Sequence, residues 1–162
     1  QWMNLDEPIE VPVKMQNQVQ TSSTTSEDSA NSLLERSEVV YTIRAHTGYQ
    51  SRRSWRGEDT AGTSAPTQIV LIGDKRASGP VNLNQRGNRY TSMKRGSALS
   101  LRVALPYLGD LQSIRVNLFK GGAASRASPD KGWFIQNIQV EDIEAEQSWD
   151  FKFYEWIDTG KP

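Results

Sequence analysis

The sequence predicts an all-β fold, an antiparallel eight-stranded β-sandwich that follows an extended N-terminal arm. Three observations lead there. Eight short runs, at 39–45, 68–73, 80–83, 89–93, 99–105, 113–119, 133–140 and 148–153, are apolar or alternate between apolar and polar residues, with turn-forming Gly, Ser and Asp between them. No helical apolar period separates these runs, which argues against a doubly wound α/β fold. The 162 residues, 36% apolar and 9% aromatic, suffice for one core with a polar extension but not for a second catalytic domain.

Residues 1–37 read as the arm and 38–160 as the sandwich domain. In the arm, Ile9, Val11, Val13 and Met15 alternate with Glu10, Pro12, Lys14 and Gln16, the period of a strand with one apolar face. Pro12 lacks a backbone donor and confines such a strand to a sheet edge. The run Thr21-Ser22-Ser23-Thr24-Thr25-Ser26 buries too little to offset its ordering entropy and reads as a linker. Ser26, Glu27 and Asp28 ahead of Ala30, Leu33 and Leu34 suit a cap and one or two helical turns, with the acids at the positive end of the dipole. Such an arm either packs on its own domain or lies along a partner by strand addition or groove docking. In the domain, the clearest strand sets Leu99, Leu101, Val103 and Leu105 inward against Ser100, Arg102 and Ala104. Trp133, Phe134, Trp149, Phe151 and Trp156 are expected to fill a small core. Gly48 and Gly62 are expected in tight turns of positive φ.

Several segments, in order, resemble one known family. YTIRAHTG at 41–48, AGTSAP at 61–66 and IVLIGD at 69–74 resemble the opening of a PLAT domain, also called the LH2 or lipoxygenase homology domain. Leu108-Gly109-Asp110-Leu111 with Ile114-Arg115-Val116 is similar to the family's central segment, Gly132-Trp133-Phe134 to its Gly-Trp-Phe strand opening, and Phe151 with Trp156 to its closing strand. The resemblance covers about 120 residues, from 39 to 157. It implies two four-stranded antiparallel sheets, no catalysis by the domain itself, and a role in docking a larger chain onto lipid or onto a protein partner. Several members bind calcium in the loops at one end of the sandwich. This chain departs from that pattern, with Ser64 and Tyr49 where such members carry Asp, and with residues 120–126 poor in acids. Calcium takes six to eight oxygen ligands. Only Glu58, Asp59 and Asp130 fall in the resembling loops, beside Arg56, Arg126 and Lys131, so the expectation is a weak calcium site at most and no cofactor.

The insertion at 49–59 is placed in the first inter-strand loop, which family members use to touch bilayers. Tyr49, Arg52, Arg53, Trp55 and Arg56 are therefore the candidate membrane- or partner-binding residues. Arginines near an anionic lipid surface gain ~1 kcal/mol each, and Trp prefers the interfacial zone. The same residue types are enriched at protein interfaces. The competing reading is a solvated loop whose arginines pair with Glu58, Asp59 or the arm, and whose Trp caps the sandwich edge. Ile9, Val11, Val13 and Met15 are the candidate partner-binding residues of the arm.

Charge sums to zero, 19 Lys plus Arg against 19 Asp plus Glu, but it is unevenly placed. Residues 1–40 carry two basic and seven acidic side chains, 41–140 fifteen and five, and 141–162 two and seven. A basic middle between acidic ends suggests a polyanion-facing surface, unless the ends fold back over it. Arg86, Arg89, Lys94 and Arg95 surround Tyr90, yet they fall on strand and turn, where solvated side chains are the default, so no nucleic-acid partner is expected. The absence of Cys excludes disulfides, thiolate catalysis and thiolate zinc sites. His46, without a second His, supports neither a metal cluster nor a nucleophile triad. Gly-x-Ser-x-Gly and Gly-x-x-x-x-Gly-Lys-Ser/Thr are both absent. No apolar run approaches the ~20 residues of a membrane-spanning helix. The opening at Gln1, without Met or an apolar leader core, reads as a processed form or a fragment. The reading that results is a non-catalytic adaptor, a peripheral subunit of a membrane-associated assembly with protein partners and, alternatively, an anionic lipid surface. The competing reading is a calcium-assisted lipid-binding module of a larger lipoxygenase, lipase, channel or receptor chain.

Overall fold

Inward-facing residues at period two, interrupted by turns, build a two-layer molecule. A computed structural model of the chain describes residues 38–54, 57–87, 89–119 and 132–159, with the backbone alone at 54 and 57–59. The described residues form eleven strands: β1 (Val39–Thr47), β2 (Ser51–Ser54), β3 (Gly57–Thr60), β4 (Thr67–Gly73), β5 (Val81–Asn82), β6 (Gln85–Arg86), β7 (Arg89–Tyr90), β8 (Ala98–Leu105), β9 (Leu111–Leu118), β10 (Trp133–Asp142) and β11 (Gln147–Ile157). One layer is a four-stranded antiparallel sheet in the order β11-β10-β1-β8, and the other a three-stranded sheet in the order β5-β4-β9. Two hairpins, β2-β3 and β6-β7, complete the set.

The inner faces share one core. Tyr41, Ile43, Ile138, Val140, Trp149 and Phe151 from the first sheet pack on Ile69, Leu71, Ile114 and Val116 from the second. Burying each such side chain contributes about 1.5–3 kcal/mol. Two indoles inside the core keep partners: Trp133 Nε1 donates to Thr47 Oγ1 at 2.9 Å, and Trp149 Nε1 to Asp110 Oδ1 at 2.8 Å. Gly109, at φ +81°, makes the turn that brings Asp110 there, and a Cβ on it would collide with the Asp74 carboxylate.

The structure corrects the sequence reading in several places. The insertion, expected as a loop, is the β2-β3 hairpin; its polar residues lack the apolar alternation that marks a strand. The run at 89–93 joins neither layer: Arg89–Tyr90 pair only with Gln85–Arg86, and Met93 makes an isolated bridge with Thr63, so the layers hold four and three strands. Neither Gly48 nor Gly62 has positive φ; they are glycine for space, since a Cβ would meet the Phe134 ring at 2.6 Å and the Met93 carbonyl at 2.6 Å respectively. The arm, with Ile9, Val11, Val13 and Met15, lies outside the described residues.

Candidate functional site

The strands bring the resembling loops to one end of the sandwich. β1 ends at Thr47 opposite Ile135, β11 ends at Ile157 opposite Trp133, and β4 begins at Thr67 opposite Leu118, so residues 48–66 and the ends of β9 and β11 form a common tip. β2 and β3 pair from Ser51 opposite Thr60 to Ser54 opposite Gly57; Trp55 and Arg56 lie outside the described residues. Alternation along β2 sends Arg52 and Arg53 to opposite faces of the hairpin.

Arg52 faces the sandwich. Its guanidinium makes a two-pronged ion pair with Asp158, Nη1 to Oδ2 at 3.2 Å and Nη2 to Oδ1, and its Cζ lies 4.3 Å from the centroid of the Trp156 ring. Trp156 in turn meets Phe134 edge-on at 5.6 Å and 71°. A forked pair combines geometry with charge, and a cation over Trp adds about 0.5–2 kcal/mol. Gly132 leaves room for the clasp: a Cβ there would strike both Asp158 and Arg52.

The clasp corrects two expectations. Trp156 is not part of the core, and Phe134, although buried at 6% exposure, lies outside the main cluster. Trp133 and Ile135 point inward, so Phe134 points outward, and its partner Trp156 does the same. They form a small cluster on the outer face of the sheet, next to the hairpin. Of the five predicted core aromatics, Trp133, Trp149 and Phe151 belong to the main cluster and Phe134 is buried beside Trp156. Arg52, expected to reach outward, is only partly exposed and held by Asp158 and Trp156, two residues for which the sequence reading had no such role. The signal available was their spacing, since Trp156 and Asp158 share one face of an extended chain.

Arg53 is exposed, and Tyr49 is 66% exposed, its ring lying against Gly96. Gly96 N donates to Gly48 O at 3.0 Å and fixes that corner. Phe119, 45% exposed, closes the far side of the tip with its N–H on the Pro66 carbonyl at 2.9 Å. Arg86, Arg89 and Tyr90 on the β6-β7 pair are exposed. His46 lies on β1, half-buried, with Nε2 3.4 Å from Gln139 Oε1. Among the described residues no group of three His, Asp or Glu could hold a metal ion. Asp158, which has Arg52 on it, does not fit calcium; Asp130 and the side chains of Glu58 and Asp59 lie outside the described residues. Among the described residues no helix is long and apolar enough to cross a membrane.

A sandwich that gathers aromatic and cationic loops at one end defines the class, a β-sandwich interaction module. The PLAT/LH2 domain model matches residues 54–161, and the chain belongs to that family, whose domain is by itself non-catalytic and serves larger proteins in membrane or protein interaction. Over 106 residues, 62% of this chain, it is 31% identical to lipoxygenase homology domain-containing protein 1 of Mus musculus and of Homo sapiens, and it spans 5% of the length of each. Among solved structures, a lipoxygenase variant superposes with a TM-score of 0.58 at 23% identity, over 75% of this chain and 16% of that one. Coral 8R-lipoxygenase, described with calcium activation via a C2-like domain, superposes with a TM-score of 0.56 at 20% identity, over 74% and 16%. At these identities the likeness to the solved structures is one of fold.

Proposed function

We propose that the chain is a non-catalytic adaptor that attaches by its tip at a membrane surface, as a peripheral subunit of a membrane-associated assembly. One observation carries this reading: the Arg52–Asp158–Trp156 clasp holds the β2-β3 hairpin against the sheet, leaving Arg53 and Tyr49 turned outward. A fixed hairpin presents its contacts without first losing conformational freedom, which favours binding. The outward residues combine a cation with an amphipathic ring, the mixture that suits an anionic interface.

Sedimentation with vesicles of phosphatidylcholine and phosphatidylserine, at low and high salt, tests the proposal. Binding that weakens with salt, and falls at least several-fold in Arg53→Glu and Tyr49→Ala at unchanged melting temperature, is the expected outcome. Retention of full binding in both variants removes the tip from the proposal. The description of the coral enzyme supports a second reading, a calcium-assisted lipid-binding module. The same assay with calcium and with chelator distinguishes them, because a requirement for calcium favours the module over the adaptor.

A further inference from the structure

β8 is an edge that lacks the usual protection. It pairs with β1 along its whole length, from Val39 opposite Leu105 to His46 opposite Ala98, and among the described residues nothing pairs with its other side. Its eight residues contain no proline, no bulge and one charge, Arg102, which sits on the outer face. Edge strands of this kind are normally shortened, bulged, charged or covered. The inner face is also incompletely covered. Leu99, Leu101 and Val103 are half-buried, whereas Ala45, Ile43 and Tyr41 opposite them on β1 are 0–1% exposed. The facing layer is one strand narrower.

We infer that this edge is covered by residues 9–15 of the same chain, added beside β8 as a fifth strand of that sheet. The inference is independent of the tip reading. Four points favour this occupant. Ile9, Val11, Val13 and Met15 repeat the spacing of Leu99, Leu101, Val103 and Leu105, so one face of the added strand closes over the half-buried row. The other face carries Glu10 and Lys14 on either side of Pro12, and the acid supplies a partner for Arg102, which faces the uncharged Thr42 on β1. Alternate residues of a strand also direct their backbone groups to alternate sides. Thr47 N donates to Ser97 O, so the odd-numbered residues of β8 turn their backbone groups to β1 and the even-numbered ones to the open edge. A strand added parallel to β8 then bonds through Ile9, Val11, Val13 and Met15, and Pro12 falls on the new outer edge, where its missing N–H costs nothing and protects against further pairing.

The fourth point is reach. The chain enters β1 at Val39, directly opposite the end of β8. Residues 16–38 separate it from the proposed strand, and at roughly 3.3–3.6 Å each they exceed the length of β8 in either direction. A segment tethered this way competes at an effective concentration on the order of millimolar, which a second copy or a partner reaches only when abundant.

The test uses the full chain. Amide exchange over residues 98–105 is compared between the wild type and a Val11→Asp, Val13→Asp double variant, whose substitutions alter no described residue. Faster exchange by about tenfold or more in the variant, with the β10 and β11 amides unchanged, is expected. Equal exchange in the two proteins overturns the inference. Because the chain has no Cys, Arg102→Cys can be combined with Glu10→Cys, Pro12→Cys or Lys14→Cys, with one introduced disulfide as the readout. Closure within a monomer for one of these pairs supports the arm as occupant. Cross-linking only between chains assigns the edge to a second copy, and cross-linking in none of the pairs rejects the strand; either result overturns the inference.

Discussion

Adjacent residues with opposite roles explain much of the tip. In Gly132-Trp133-Phe134 the first residue makes room for the Arg52–Asp158 pair, the second is fully buried in the core, and the third supports Trp156 outside it. Trp133→Ala should therefore cost ~3–5 kcal/mol, as large core truncations do. Trp156→Ala should cost less, about 1–2 kcal/mol, the scale of one aromatic pair and one cation–ring contact. Urea titration of both variants checks the difference, and equal losses would return Trp156 to the core. Tyr107 offers a test by pH. Burial, then the field of Asp74, with Asp142 and Asp110 adding and Lys75 opposing, holds its phenol above the ordinary value. The folded chain thus keeps a proton that the unfolded chain releases near about pH 10. This contribution to stability is complete below that pH and is lost as pH rises through the folded value. Tyr107→Phe should show a smaller loss of stability than the wild type between about pH 9 and 11, read from urea midpoints.

Elements differ in how far their residues declare them. The β10-β11 hairpin turns through residues 143–146, where Asp142 Oδ1 accepts from the N–H groups of Glu144 and Ala145, both at 3.1 Å, and Glu146 sits at φ 52°. A side chain in that left-handed region costs roughly 1–2 kcal/mol. Glu146→Gly should relieve part of this and raise the melting temperature by a few degrees, measured by circular dichroism. A lower melting temperature would mean that the glutamate side chain outweighs the strain. β1, β4, β8, β9, β10 and β11 were legible because each has an apolar face at period two. β2 and β3 were not, since Ser51-Arg52-Arg53-Ser54 and Gly57-Glu58-Asp59-Thr60 have no apolar face, and the hairpin is held from outside by Asp158 and Trp156. The outward turn of Phe134 was hidden for a related reason. β10 slips register between Ile135 and Asn137, and such a slip reverses which alternate residues face the core. Of the candidate site, Tyr49 and Arg53 could be read from the sequence as outward tip residues. The role of Arg52 could not, because its partner lies 106 positions away.

At the scale of the whole molecule, one core joins both sheets, so the sandwich should melt in a single transition. Leu71→Ala in the narrow layer and Ile138→Ala in the wide one should each lower that same midpoint, by ~2–5 kcal/mol in stability. Calorimetry showing two separable transitions would break the assumption that the layers share their stability. The net charge of zero conceals an architecture in which the basic stretch 41–140 supplies the tip hairpin and most of the strands, while acids predominate from residue 141 onward. The path of the chain adds a mechanical property. β1 begins at the end away from the tip and β11 finishes beside it, in the same sheet, with β10 antiparallel between them. Tension applied through residues 38 and 159 would pull these two parallel strands past β10 along their length, straining many ladder bonds at once instead of peeling them in turn. A domain with this geometry resists rupture kinetically, in the property that governs forced unfolding.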